Sequence, residues 1–133
     1  MNTVPSPKPL LYADITEKIL QAAFEVSKEL GSGFLESVYK NSMVIALRAK
    51  GLKVEIEKPI SVMFRGQSVG QFYADLFVDG KVIVELKAVS ALAPEHSAQT
   101  INYLKATDIE VGLLLNFGPK PEVKRKAFDN RRK

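Results

Sequence analysis

The spacing of apolar and polar positions divides the chain into helical and strand-like stretches. Ile15, Ile19, Ala22, Ala23, Val26 and Leu30 recur at the interval that lines one helical face, predicting a helix over 14–32. Asp14 followed by Glu17 resembles a capping box at its start, and Gly31 and Gly33 break the pattern at its end. Leu35, Val38, Tyr39, Ser42, Met43, Ala46 and Leu47 form a second periodic segment that runs to Lys50, with Gly51 as a C-terminal cap. From Lys53 the period changes. Val54 and Ile56 alternate with charges, and Ile60, Val62 and Phe64 alternate with Ser61 and Met63, as in a strand. Arg65-Gly66-Gln67 reads as a turn, Val69–Val78 as a second strand, Asp79-Gly80 as a hairpin connection and Lys81–Ala88 as a third strand. Pro94 opens a third helix that reaches Lys105, and Val111–Phe117 is an apolar strand ended by Gly118-Pro119. The order α-α-β-β-β-α-β predicts an α/β (α+β-like) domain whose mixed central sheet is flanked by helices. Residues 1–10, with Pro5, Pro7 and Pro9, read as a flexible lead-in.

The Asp79-Gly80 turn decides which charges meet. A two-residue turn would pair Val78 with Lys81 and send Asp75 and Glu85 to opposite sides of the sheet. A three-residue loop, Val78-Asp79-Gly80 with Gly80 left-handed, would pair Phe77 with Lys81 and set Asp75 opposite Ile83, with Glu85 diagonally beside it. The second register collects Ala74, Leu76, Val78, Val82, Val84, Leu86 and Ala88 on one apolar face. Tyr73, Asp75, Phe77, Lys81, Ile83, Glu85 and Lys87 fall on the other. Burial of the apolar face favours that register and predicts a bulge at or near Gly80.

Composition narrows the chemistry. The chain has 133 residues, 46% of them hydrophobic and 26% charged, which suits one soluble domain with a core. It has no cysteine, which excludes disulfides, thiolate chemistry and cysteine-bound zinc, and its one histidine argues against a multi-imidazole zinc hydrolase. No apolar run reaches the roughly 18 residues of a membrane span, and no signal peptide is indicated; a cytoplasmic location is expected. The net charge of +4 is uneven: residues 118–133 carry net +5, leaving −1 for the other 117. Lys124, Arg125, Lys126, Arg131 and Arg132 in this basic tail, 119–133, would contact phosphates or simply be solvated.

Asp75, Glu85 and Lys87 on one strand face suit metal-assisted phosphodiester hydrolysis. Mg²⁺ takes oxygen ligands and needs only one or two protein carboxylates, and a lysine can orient water, offset phosphoryl charge or act as a base. The alternative is an exposed polar strand with weak Glu–Lys pairs. Glu36 and Tyr39 lie i,i+3 on the second helix behind Gly33, and Glu36 there is equally a helix-dipole partner. His96, Gln99 and Tyr103 form one polar stripe on the third helix, placed to touch a substrate backbone or to face solvent. His96 reads as a first-turn residue rather than a metal ligand.

Together these segments resemble the GxxExxY family, a branch of the PD-(D/E)XK nuclease superfamily. Gly33-Phe-Leu-Glu36-Ser-Val-Tyr39 matches its naming motif, and Tyr73-Ala-Asp75-Leu-Phe-Val with Val82-Ile-Val-Glu85-Leu-Lys87-Ala matches its central strands. Glu95-His96-Ser-Ala-Gln99, Asn102-Tyr103-Leu-Lys105 and Val111-Gly-Leu-Leu-Leu-Asn116-Phe117-Gly118 match the later helix and strand, so the likeness covers about 12–118. It implies a restriction-endonuclease-like αβββαβ core over 11–118 with an extra N-terminal helix. It also implies Asp75 and Glu85 as ligands of Mg²⁺ or Mn²⁺, Lys87 as catalytic lysine and Glu36 as a helix-borne acid assisting the metal or its water. Gln99 and Tyr103 would brace the site or approach the scissile phosphate, with Tyr39 and His96 in support. The proline that often precedes the first aspartate is replaced by Ala74, which removes a backbone constraint but no metal ligand. The expected function is a divalent-metal-dependent nuclease acting on DNA, or on RNA. The alternatives are a catalytically silent nucleic-acid-binding accessory protein, or a module that forms a homodimer or binds a protein partner through the same fold.

Overall fold

A computed structural model describes residues 10–133; the expected flexible segment, apart from Leu10, lies outside the described residues. The chain forms a mixed five-stranded sheet flanked by helices, an α+β arrangement. Two helices, α1 (Ala13–Leu30) and α2 (Glu36–Ala49), precede β1 (Val54–Phe64), β2 (Gln67–Val78) and β3 (Val82–Lys87). Helix α3 (Pro94–Lys105) then crosses to β4 (Val111–Asn116), which is followed by β5 (Glu122–Ala127) and a short turn of 3₁₀-helix, Asn130–Arg132. The strands lie side by side in chain order, and only the β3–β4 pair is parallel. A parallel pair needs a crossover connection, and α3 provides it. Among the described residues, no helix is long and apolar enough to cross a membrane.

Periodicity places the helices well, with one correction at their ends. The expected Asp14–Glu17 capping box does not form: the cap of α1 is Tyr12, left-handed at φ 58, with no side-chain bond, and Asp14 lies inside the first turn. There it still faces the positive end of the helix dipole.

The 119–133 segment is not a free tail. Its residues 122–127 add a strand antiparallel to β4, from Asn116↔Glu122 to Val111↔Ala127. Glu-Val-Lys-Arg-Lys-Ala offers one strongly apolar residue, so it reads as charge rather than strand. Its lysines and arginine suit an edge, where they discourage pairing with another chain.

The hairpin after β2 uses a three-residue loop, as the hydrophobic pattern requires, but two positions of register away from the expected one. Val78 pairs with Val82, Phe77 with Ile83 and Leu76 with Val84, leaving Asp79-Gly80-Lys81 in the loop. Asp79 (φ 52) and Gly80 (φ 63) are both left-handed, and the Lys81 amide closes the turn on the Val78 carbonyl at 3.0 Å. The parity is unchanged, so the side chains from Leu76 to Leu86 keep their expected faces. Continuing the ladder sets Asp75 directly across from Glu85 rather than across from Ile83.

The predicted continuous apolar face holds for Leu76, Val78, Val82, Val84 and Leu86, which pack with α1 and α2. Ala74 departs from it and joins Ile60, Ile83 and Leu104 on the α3 side. Likewise in β1, Val54 belongs to the first cluster and Ile60, six residues on, to the second. Strict alternation would have kept both on one side. The ladder between β1 and β2 skips the Glu57/Asp75 position, and Glu57 there is left-handed at φ 51. Both strands therefore change sides at the level of Asp75.

Candidate active site

Asp75 sits where the β2–β3 ladder ends. Beyond Leu76↔Val84 the backbone pairing stops, and the Asp75 carboxylate takes the Leu86 amide at 2.8 Å. The side chain thus substitutes for a missing carbonyl partner. It is thereby fixed beside Glu85, whose carboxyl lies within hydrogen-bonding reach. Burial and the neighbouring Asp75 charge push the Glu85 carboxyl up to about 8, and Lys87 offsets only part of this. Glu85 Oε1 is buried without a hydrogen-bond partner. A solvent-shielded acceptor left unpaired costs free energy unless a proton or a cation meets it.

Three further side chains converge on this pair. Lys87 is half-buried at the end of β3. The Glu36 carboxyl, on the first turn of α2, is raised by partial burial and then by the Asp75 charge, against the opposing pull of Lys87, Lys40 and His96. The Tyr103 hydroxyl is raised by burial and by the charges of Glu85 and Asp75. Its ring stacks on Phe72 of β2 at 3.5 Å between centroids. Gln99, one helical turn before Tyr103, is exposed on the same stripe.

Two expected site residues have structural partners instead of open ones. Tyr39 is fully buried, so it does not reach a substrate. Its hydroxyl donates to the Gly31 carbonyl at 2.6 Å and accepts from the Phe34 amide at 3.3 Å, while its ring stacks on Phe117. Tyr39 therefore pins the Gly31–Leu35 loop that delivers Glu36. Gly33 in that loop has φ 106, a conformation other residues strongly avoid. His96 Nδ1 accepts from the Ala93 amide at 3.0 Å and so caps α3, in keeping with a first-turn role.

The five basic residues expected to act together are divided. In the β4–β5 register Lys124 pairs with Leu114 and Lys126 with Gly112, on the α3 side, whereas Arg125 points the other way and donates to the Leu11 carbonyl at 2.9 Å. Arg131 is bound to Asp129 at 2.6 Å, and Arg132 lies over the Phe128 ring.

Sequence reasoning passed over Lys40 and Glu57. Lys40 is one helical turn beyond Glu36, and its ammonium pairs with Glu57 at 2.7 Å. The bond to Glu57 raises Lys40, with the Asp75 and Glu36 charges adding to it. The Glu36/Lys40 spacing of four was the available signal. Also unforeseen is a clamp behind the loop that follows Lys87. Buried Asn116 bonds both the amide and the carbonyl of Val89, at 3.0 and 2.9 Å, and also reaches Glu122, which accepts from the Leu92 amide at 2.8 Å. A Cβ on Gly118 would run into the Val89 carbonyl oxygen.

Among the described residues no group of three His, Cys, Asp or Glu side chains forms a ready-made metal cage. The donor set still fits a hard cation that needs only one or two carboxylates and keeps its waters. Asp75 and Glu85 supply hard oxygens side by side, one of them unpaired and strongly biased toward a positive partner.

No curated protein sequence matches the chain. The crystal structure of SSO0001 aligns over 90% of this chain and 82% of its own, with 16% identity and a TM-score of 0.39. The PD-(D/E)XK nuclease superfamily matches residues 13–126, which take in both helices before the sheet, β1 to β4, all of β5 but its last residue, and the Asp75–Glu85 pair. With nearly its full length matched, the chain belongs to the PD-(D/E)XK nuclease superfamily.

Proposed function

We propose that this chain is a divalent-metal-dependent nuclease of the GxxExxY branch, acting on DNA, with RNA as the second polymer to test. The observation that carries the reading is the Asp75–Glu85 pair, in which one buried oxygen lacks a partner and the carboxyl is raised to about 8. A structural carboxylate pair would be expected to satisfy its own atoms, whereas one awaiting a cation need not. The branch assignment is supported by the division of labour in its motif: Gly33 turns the loop, Tyr39 pins it and Glu36 lies near enough to feel the Asp75 charge.

Asp75 and Glu85 would hold Mg²⁺ or Mn²⁺. Such an ion, when bound, stabilises charge on phosphate and makes water more acidic. The chain's own groups do the rest. Lys87 donates hydrogen bonds to a phosphate oxygen or to the attacking water and offsets the charge that develops at phosphorus. Glu36 accepts a hydrogen bond from that water and turns its lone pair toward the phosphate. Tyr103 and Gln99, on the facing helix, orient the substrate backbone.

The test is a panel of single-stranded, duplex and branched DNA and RNA, incubated with Mg²⁺, Mn²⁺ or EDTA, with Glu85→Ala and Lys87→Ala alongside. Cleavage that needs metal and is lost in both variants is expected. Binding without any cleavage would instead favour the accessory reading.

A further inference from the structure

We propose that the β1–β2 hairpin is a DNA-gripping ribbon that enters the major groove of duplex DNA next to the scissile phosphate. The inference rests on the nuclease reading and adds the substrate's form to it.

Strand lengths are the starting point. β1 and β2 stay paired out to Phe64↔Gln67, but β3 ends at Lys87. Extending the β2–β3 register sets Lys87 across from Tyr73. Residues 67–72 and their β1 partners therefore continue past the catalytic end of the sheet as a two-stranded ribbon, about 20 Å long at ~3.3 Å per residue. A polymer with a phosphate at Asp75, Glu85 and Lys87 must pass beside it. The register slips between Val62 and Met63, and such a bulge adds twist toward the tip.

The ribbon's chemistry suits a polyanion. No carboxylate occurs from Lys58 to Ala74, although acids are frequent elsewhere. Arg65 stands at the tip with its guanidinium 5.0 Å from the centre of the Phe64 ring. Ser61, Gln67, Ser68 and Gln71 offer donors and acceptors for base edges. Phe64, Met63 and Val69 toward the tip are 58%, 48% and 62% exposed, and Tyr73 at the root 64%, so apolar groups stand beside the polar ones along the ribbon. At the root, a cleft between the ribbon and the C-terminal end of α3 is lined by Lys58, Lys105 and Lys133 against one acid, Asp108. Lys58 there also pairs with Glu55 at 2.8 Å.

Shape selects among partners. The B-DNA major groove, about 12 Å wide, admits a two-stranded ribbon, whereas the major groove of A-form RNA is too narrow and deep. A second copy of the chain pairing along β1 is disfavoured. Pro59 lacks an N–H, and the left-handed Glu57 interrupts the row of edge groups a new strand needs.

The experiment is fluorescence anisotropy in EDTA, using labelled duplex DNA, single-stranded DNA and duplex RNA with the wild-type chain, Arg65→Glu and Phe64→Ser. Circular dichroism verifies the fold, and a parallel Mg²⁺ cleavage assay includes Lys87→Met. Arg65→Glu is expected to weaken duplex DNA binding about tenfold at low salt, with less effect on single strands. Lys87→Met is expected to lose cleavage while weakening duplex binding less than Arg65→Glu does. Unchanged duplex affinity in both ribbon variants, or duplex RNA bound as tightly as duplex DNA, overturns the ribbon while leaving the nuclease reading to the cleavage arm. Ribbon-dependent binding without wild-type cleavage supports the ribbon and refutes the nuclease. A dimer that Phe64→Ser dissociates, with DNA binding unaltered, assigns the surface to a second copy.

Discussion

Replacing Glu85 by glutamine tests the electrostatics of the carboxylate pair without changing its shape. The folded chain holds this carboxyl at about 8, against 4.5 for the unperturbed group. Between those values the folded state keeps a proton that the unfolded chain has released. Wild-type stability from this group is therefore full below pH 4.5 and is lost as pH rises toward 8. Glutamine has no proton to lose. Near pH 5 the two proteins should differ little from this cause. By pH 8.5 the variant should be the more stable by about 2–4 kcal/mol, given about 1.4 kcal/mol per pH unit less a discount for the part of Glu85 that solvent still reaches. Urea unfolding in EDTA, taken in steps across that range, measures the difference directly. Adding Mg²⁺ at about ten times its Kd should return roughly 1.4 kcal/mol to the wild type at alkaline pH and nothing to the variant. A wild-type minus variant difference that stays flat with pH would refute the raised carboxyl and with it the cost assigned to burying Glu85 beside Asp75.

Tyr39→Phe keeps the stack on Phe117 but removes the bonds to Gly31 and Phe34; urea unfolding should show a loss of about 1–2 kcal/mol, and no loss would mean the loop holds without the hydroxyl. Gly118→Ala forces the Val89 loop to move, at a cost of about 1–3 kcal/mol, and should also reduce cleavage because that loop follows Lys87; wild-type stability and rate together would show the clamp to be slack. Lys40 holds the Glu57 carboxyl below its ordinary 4.5, so Lys40→Met should return it upward in a carboxyl ¹³C NMR titration; an unmoved titration would show that the pair does not form in solution.

Much of the fold was legible because burial writes a period into the sequence. The helical faces of α1 and α2 and the apolar set from Leu76 to Leu86 follow from spacing alone, and the parity of the hairpin follows from the need to bury that set. What escaped was governed by local backbone chemistry or by charge. Left-handed Asp79 moved Lys81 into the loop and shifted the register by two positions, placing Asp75 across from Glu85. Left-handed Glu57 marks the level at which β1 and β2 change sides beside Asp75, which no alternation rule anticipates. β5 was hidden because an edge strand protected by lysine and arginine resembles a solvated tail. At the site, the motif residues were visible, but their division into carboxylates that face each other and a tyrosine that only braces them required three-dimensional partners.

The most direct test of the site is single-turnover cleavage of duplex DNA as Mg²⁺ is titrated, comparing wild type with Glu85→Gln and Lys87→Met. Saturable, EDTA-sensitive cleavage is expected of the wild type. Each variant is expected to cleave at least about a hundredfold more slowly, the scale seen when a group that stabilises transition-state charge is removed. Cleavage at the wild-type rate in both variants would place the chemistry somewhere other than the Asp75, Glu85 and Lys87 cluster.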